Sequence, residues 1–69
     1  MNKNFIQAVQ VNNNVTAIIA LECVTAARKV MGNIIYDIQL DNTISQARKG
    51  DWIVQLRNGK WNVLKNLSI

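Results

Sequence analysis

The sequence contains no histidine, no proline and one cysteine among its 69 residues. Histidine is the side chain that most often acts as a base near neutral pH, so its absence excludes most general acid–base mechanisms. The absence of proline means that tight connections must be built on Gly, Asn and Asp. The lone Cys23 cannot form a disulfide within the chain, which favours a reducing compartment, the cytoplasm.

Acidic residues are also scarce, since four of them stand against eight Lys and Arg residues and leave a net charge of +4. This balance permits an anionic partner without requiring one. The four acidic residues fall on separate predicted elements, whereas a metal site needs several ligands close together. A glycine-rich phosphate loop is missing too. We therefore predict a protein that is not an enzyme, without catalytic residues, metal ligands or cofactors.

Long hydrophobic runs are absent. Residues 15–27 are rather apolar, but Glu22 interrupts them and a membrane-spanning helix needs about 20 apolar residues. Nothing in the sequence resembles a secretory signal. A chain of 69 residues has room for one domain, so we predict a single domain over residues 1–69 without membrane contact.

The first half of the chain predicts a strand and then a long helix. Phe5 to Val11 carries apolar side chains on both faces, as a covered strand does. Asn13 or Asn14 suits the N-cap of a helix, and residues Val15 to Met31 contain no interior Gly or Pro. Two cations in the last turn and a glycine just beyond it are typical of a helix end. Cys23 falls on the apolar face of this helix, where a buried packing thiol is expected.

The second half predicts four short antiparallel strands joined by tight turns. Hairpin turns are expected at Asp41-Asn42 and at Asn58-Gly59, the strongest such signal in the chain. The strands are expected at Ile34 to Leu40, Thr43 to Ala47, Trp52 to Arg57 and Lys60 to Leu67. The expected fold is α+β, in the order β-α-β-β-β-β, with one helix packed on a curved antiparallel sheet. The alternative is a small SH3-like or OB-like barrel with a helix.

Residues around Gly50-Asp51-Trp52 are interpreted as structural. Gly50 supplies an unusual backbone dihedral in a turn, and Asp51 can accept hydrogen bonds from nearby backbone amides. Trp52 alternates with Val54 and Leu56, so it is expected in the core. Asn58 and Gly59 are interpreted as turn residues in the same way.

Two surfaces are candidates for binding. Among the polar residues of the predicted helix lie apolar ones, which can mark a surface for a protein partner or a homodimer. This first candidate comprises Ile18, Leu21 and Thr25.

The second candidate surface lies at the last hairpin and comprises Arg57, Lys60, Trp61 and Lys65. Leu56 and Trp61 are expected to pair across the tip. A basic tip beside an aromatic ring suits single-stranded nucleic acid or a nucleotide, by stacking and phosphate attraction. The same residues can instead staple the hairpin and keep its tip solvated.

Two short motifs resemble a family of small phage and prophage proteins. These are Ala8-Val9-Gln10 before the predicted helix and Gly50-Asp51-Trp52-Ile53 after a short strand. The family begins with Ala-Val-Gln-Trp and carries Pro-Gly-Asp-Trp-Ile, and its order of elements covers most of this chain. Here Val11 replaces the family Trp, Lys49 replaces the Pro, and the family's Tyr-Pro-Cys segment is absent.

The resemblance implies a phage or prophage origin and supplies no mechanism. On this basis we expect a non-enzymatic accessory protein in the bacterial host cytoplasm. It would bind a host or phage macromolecule, in host takeover or against a defence system. The alternatives are a small basic module that binds nucleic acid or a nucleotide, and a virion or assembly component, which would be found in purified particles.

Overall fold

The computed structural model describes residues 5–65, and it is built mainly of β-strands. Its elements are β1 Phe5–Gln10, α1 Val15–Ile19, β2 Val24–Val30, β3 Asn33–Gln39, β4 Ile44–Ala47, β5 Trp52–Leu56 and β6 Trp61–Leu64. They form two antiparallel sheets of three strands, in the orders β1-β5-β6 and β2-β3-β4. We call these the first and the second sheet.

One hydrophobic core lies between the two sheets. Tyr36 and Ile38 enter it from β3 and Ile53 from β5, while Ile18 and Cys23 enter from the segment between β1 and β2. The predicted inward alternation along β3 is confirmed. The positions that carry it, Ile34, Tyr36, Ile38 and Leu40, are all buried in this core or packed against it.

The predicted helix from Val15 to Met31 is wrong, because α1 ends at Ile19 and β2 follows. Met31 and Gly32 have φ values of 51° and 84°, and Val30 pairs with Asn33 on either side of them. Two consecutive residues with positive φ make a two-residue hairpin turn that matches the twist of the strands. Gly32 therefore closes a hairpin and does not end a helix.

The prediction of one helix packed on a curved sheet is overturned by the two separate sheets. The alternative of a small barrel with a helix is wrong too, since no strand ladder within residues 5–65 joins the first sheet to the second. The sequence of the segment after α1 does not show the pattern of a strand, because β2 is an edge strand whose residues beyond Val24 are all exposed. Exposed strand positions need no apolar alternation, so Ala26 and Ala27 suggest a helix instead.

The corner before α1 is held by asparagine side chains. Asn14 occupies the N-cap position, but its side chain makes no capping hydrogen bond. Its Oδ1 instead accepts from the Asn12 amide at 2.9 Å, and its Nδ2 donates to the Gln10 carbonyl at 3.1 Å. The helix is short, and its buried residue, Ile18, anchors it to the core.

The hairpin between β5 and β6 has a different register from the one expected. Its turn closes by a hydrogen bond from the Gly59 amide to the Leu56 carbonyl, and Gly59 has φ of 88°. Trp61 consequently pairs with Gln55 rather than with Leu56. A shift of one residue moves every following side chain to the other face, so Trp61 packs against the core.

Trp52 lies on the opposite face of the first sheet from the core. Its neighbour Ile53 belongs to the core, whereas Trp52 is half-buried and outside it. Val54 shares this face with Trp52, because alternate residues of a strand point to the same side. It is fully buried, but it does not belong to the core cluster between the sheets. The alternation predicted for β5 is therefore present, with its two faces exchanged.

The turn between β3 and β4 and the end of β6 also differ from the predictions. In the connection from β3 to β4 the Leu40 amide donates to the Thr43 carbonyl at 2.9 Å. Neither Asp41 nor Asn42 has a positive φ, so the turn is not of the type expected from these residues. The last strand ends at Leu64, and the predicted end at Leu67 lies outside the described residues.

Candidate functional site

The residues of the first predicted surface do not share a surface in the structure. Ile18 is fully buried in the core, and Leu21 is half-buried against it. Thr25 is exposed on β2, where its Oγ1 donates to the Asp37 carbonyl at 3.3 Å. Because Ile18 is inaccessible, these three residues do not form a docking patch.

The second predicted surface is largely occupied by internal contacts. Lys60 Nζ lies 2.8 Å from Asp41 Oδ2, and the hydrogen bond to Asp41 raises the pKa of Lys60. Lys65 Nζ lies 3.0 Å from Asp51 Oδ2. Trp61 packs against the core, and Arg57 stays exposed at the tip. Two of the cations thus face carboxylates, and the aromatic ring is not displayed as a platform beside them.

Asp51 organises the turn between β4 and β5. Its Oδ2 accepts from the Arg48 amide at 3.0 Å, and its own amide donates to the Arg48 carbonyl at 2.9 Å. Gly50 has φ of 96°, a value that this turn position requires and that glycine adopts readily. The turn is joined to Val11 by two backbone hydrogen bonds of 2.8 Å, from Val11 to Asp51 and from Gly50 to Val11.

Cys23 is buried, with 4% of its surface exposed. Burial raises the pKa of its thiol to about 11, against an ordinary value of 9.0, and the neighbouring Glu22 acts in the same direction. Since the thiolate is the nucleophilic form, a thiol with this pKa and this burial is unreactive near neutral pH.

We therefore expect native Cys23 to resist alkylation. At pH 8 a pKa of about 11 leaves roughly a hundredfold less thiolate than the ordinary value does, before access is considered. Iodoacetamide labelling followed by mass spectrometry in buffer and in denaturant measures this directly. Rapid labelling of the folded protein would contradict the assignment of Cys23 to the core.

A groove that the sequence did not reveal crosses the outward face of the second sheet. Its volume is about 450 Å³, and we call it the apolar groove. Met31 is 96% exposed at one end, and Ile35 lies at the centre of the sheet opposite Arg28. The residues that line it are Val30, Met31, Asn33, Ile35, Arg48 and Lys49.

The rim of the apolar groove is positively charged. The three ion pairs within residues 5–65 join Arg28 to Asp37 and two lysines to Asp41 and Asp51. None of them involves Arg48 or Lys49, and no acidic residue lines the groove. The groove therefore combines exposed apolar surface with uncompensated positive charge.

A second, more polar groove of about 280 Å³ continues around Lys49 and Asn33, which line both grooves. We call it the polar groove, and Asn12, Asn13 and Tyr36 are also among its lining residues. The Tyr36 side chain is 1% exposed, yet its hydroxyl has no hydrogen-bond partner in the described part of the chain. An unpaired buried hydroxyl is unusual, because it loses its bonds to water without replacement.

Both grooves depend on long-range pairing. The apolar groove combines the turn after β2 with the turn after β4, which are distant in sequence. The one local signal was Met31-Gly32, where an exposed apolar residue precedes a turn glycine. A hairpin at Met31-Gly32 places Val30 and Met31 at one end of β2, but the pairing of β3 with β4 is also needed to bring Arg48 and Lys49 to that end.

Residues 5–65 hold neither a cluster of metal ligands nor a membrane-spanning helix. They contain no group of three or more Cys, Asp or Glu side chains that could hold a metal ion. The helix that they form, α1, has 5 residues and is too short to cross a membrane. No protein-family model, curated protein or solved structure matches the chain.

Proposed function

We propose that this protein is a non-catalytic binding module that holds an acidic segment of another protein in the apolar groove. The observation that carries the proposal is the groove itself, with Val30, Met31 and Ile35 as its apolar surface and Arg48 and Lys49 as its basic rim. Exposed apolar surface edged by charge is typical of interaction sites. The basic rim selects a partner segment that carries Asp or Glu beside apolar side chains.

Met31 adds a second argument. It is 96% exposed and has φ of 51°, a region that disfavours residues other than Gly, Asn and Asp. Exposure and backbone strain both act against folding at this position. A long, flexible thioether at the end of a groove is, however, well suited to pack against varied apolar partners.

A protein segment fits the groove better than nucleic acid does. Binding of single strands relies on aromatic rings on which bases stack, and no aromatic residue lines the apolar groove. Trp61 packs against the core, and Trp52 lies on the first sheet, away from the groove. Arg48 and Lys49 remain available for carboxylates.

The biological setting of this proposal comes from the two short motifs. Their resemblance to small phage and prophage proteins supports an accessory role in an infected or lysogenic bacterium. Within that setting, binding to a host or phage protein during host takeover or against a defence system suits a small module without catalytic groups.

Selection from a displayed library of random peptides tests the proposal. Wild-type protein should enrich peptides that combine acidic and apolar residues. For a synthesised selected peptide, Lys49→Glu should weaken binding by about tenfold, because attraction becomes repulsion at the rim. Lys60→Glu is the matched control, since it makes the same charge change at an exposed lysine that does not line the groove.

Circular dichroism should show both variants folded. Failure to enrich acidic and apolar peptides would contradict the proposal, and so would equal weakening by Lys49→Glu and Lys60→Glu. Equal weakening would mean that net charge, rather than the groove, determines binding. An added oligonucleotide should not compete with the peptide, and efficient competition would favour nucleic acid as the partner.

A further inference from the structure

We infer that the polar groove binds the terminal carboxylate of the segment whose apolar side chains occupy the apolar groove. This inference rests on the proposed function and specifies the partner as a chain end with an apolar last residue. The continuity of the two grooves around Asn33 and Lys49 supports it. A ligand lying across that junction would place an apolar group on one side and a polar group on the other.

The polar groove is rich in hydrogen-bond donors. Lys49 contributes an ammonium group, and Asn13 and Asn33 contribute side-chain amides that make no hydrogen bond within the described residues. Asn12 Oδ1 already accepts from the Asn14 amide at 3.1 Å, which leaves the Asn12 side-chain NH₂ as its unused group. Lys49 gives the described lining a positive charge that no acidic side chain there offsets. The groove therefore favours an anionic ligand, to which the asparagine NH₂ groups can also donate.

The Tyr36 hydroxyl points to the same kind of ligand. It is buried without a partner, and a phenylalanine ring would fill the same place without losing bonds to water. Tyr36 is among the residues that line the polar groove, and a ligand reaches its hydroxyl if the side chains over it move. Its proton could then be donated to a carboxylate oxygen.

Carboxylate is favoured over phosphate by the nature of the donors. Apart from Lys49, the polar donors named above are neutral amides and one hydroxyl, and Arg48 lines only the apolar groove. Phosphate sites usually contain several cations or an arginine fork. A carboxylate with one negative charge is matched by one lysine together with neutral donors, and backbone-rich sites for chain ends follow the same logic.

Three probes test this inference on the full chain by ¹⁵N-edited NMR titration. N-acetyl-leucine carries an apolar side chain beside a carboxylate, N-acetyl-leucinamide is its uncharged match, and inorganic phosphate is an anion without an apolar part. N-acetyl-leucine should bind about tenfold more tightly than the amide, which corresponds to one charge-assisted interaction. It should shift the amide signals of Val30, Ile35, Asn13 and Lys49.

Two variants complete the test. Tyr36→Phe should weaken N-acetyl-leucine binding about tenfold while leaving the free protein at least as stable, because its hydroxyl has no partner to lose. Asn13→Asp alters an exposed residue and should weaken the acid more than the amide. If Tyr36→Phe does not fold, Asn13→Asp alone tests whether the polar groove binds the carboxylate.

The outcomes separate this inference from the proposed function. Equal binding of acid and amide, with shifts at Val30 and Ile35, would overturn the carboxylate site and leave the apolar groove supported. Binding of phosphate as tight as that of the acid would overturn the choice of carboxylate. Shifts at Asn13 and Lys49 alone would mean that the carboxylate binds in the polar groove without an apolar side chain in the apolar groove, and would overturn both the joint site and the proposed function.

Discussion

Replacing Ile18 with Ala is expected to lower the free energy of unfolding by about 2–5 kcal/mol. Ile18 is fully buried and packs in the core between the two sheets, so truncation removes transfer energy and leaves a cavity. Urea denaturation followed by fluorescence measures the change. In a domain of this size, whose total stability is about 5–10 kcal/mol, the loss would be a large fraction of it.

Ile19 provides the matched control, because it is the next residue of α1 and is 53% exposed. Ile19→Ala should change the unfolding free energy by no more than about 0.5 kcal/mol. Ile18→Asp should prevent folding altogether, since it places an unpaired charge in the core. Equal small effects of Ile18→Ala and Ile19→Ala would contradict the orientation of α1 toward the core.

Asp51→Ala should destabilise the protein by about 1–3 kcal/mol. Asp51 is 7% exposed and its carboxylate accepts from the Arg48 amide, so removing the carboxylate leaves that amide without its partner inside a turn that also bonds to Val11. Thermal and urea unfolding of the variant at neutral pH measures the loss. Lys49 belongs to the same turn and lines both grooves. Asp51→Ala should therefore also weaken peptide binding, because it loosens the turn that positions Lys49.

Lys65→Ala separates the contributions of the two hydrogen bonds that the Asp51 carboxylate accepts, from the Arg48 amide and from Lys65. The Lys65 side chain is 76% exposed, so its ion pair with Asp51 should contribute at most about 1 kcal/mol. Asp51→Asn keeps an acceptor oxygen for the Arg48 amide and should fall between the two alanine variants. A Lys65→Ala effect as large as that of Asp51→Ala would mean that the ion pair, rather than the turn, explains the role of Asp51.

Much of the strand pattern could be predicted from the sequence, because β3 and β5 alternate clearly and Gly50 and Gly59 mark the turns on either side of β5. The long helix could not be distinguished from β2 by local signals. The alanines of this segment favour a helix, and because β2 lies exposed at the sheet edge it shows no alternation of apolar and polar residues. Gly32 is compatible with either a helix end or a hairpin. Pairing with β3 decides the outcome, and pairing is a property of the whole chain.

The candidate site was beyond prediction for a related reason. Trp52 was assigned to the core by its alternation with Val54 and Leu56, and β5 does alternate, but with its other face toward the core. Trp61 was expected to lie opposite Leu56. Which face meets the core depends on the loop, and Gly59 places Trp61 opposite Gln55 instead of Leu56. Met31 could not be recognised as an exposed residue beside Arg48 until the turn before β3 and the turn after β4 were placed side by side.

The exposed edge of β2 has a consequence for the behaviour of the protein at high concentration. An unpaired edge invites a second copy to extend the sheet and start a fibril. Arg28 is already paired with Asp37, but Lys29 is in none of the ion pairs within residues 5–65. Antiparallel addition of β2 to itself would bring Lys29 of one copy near Lys29 of the other, on a strand without a negative charge. Repulsion between like charges therefore disfavours pairing of two copies at this edge. The repulsion weakens as dissolved salt screens these charges.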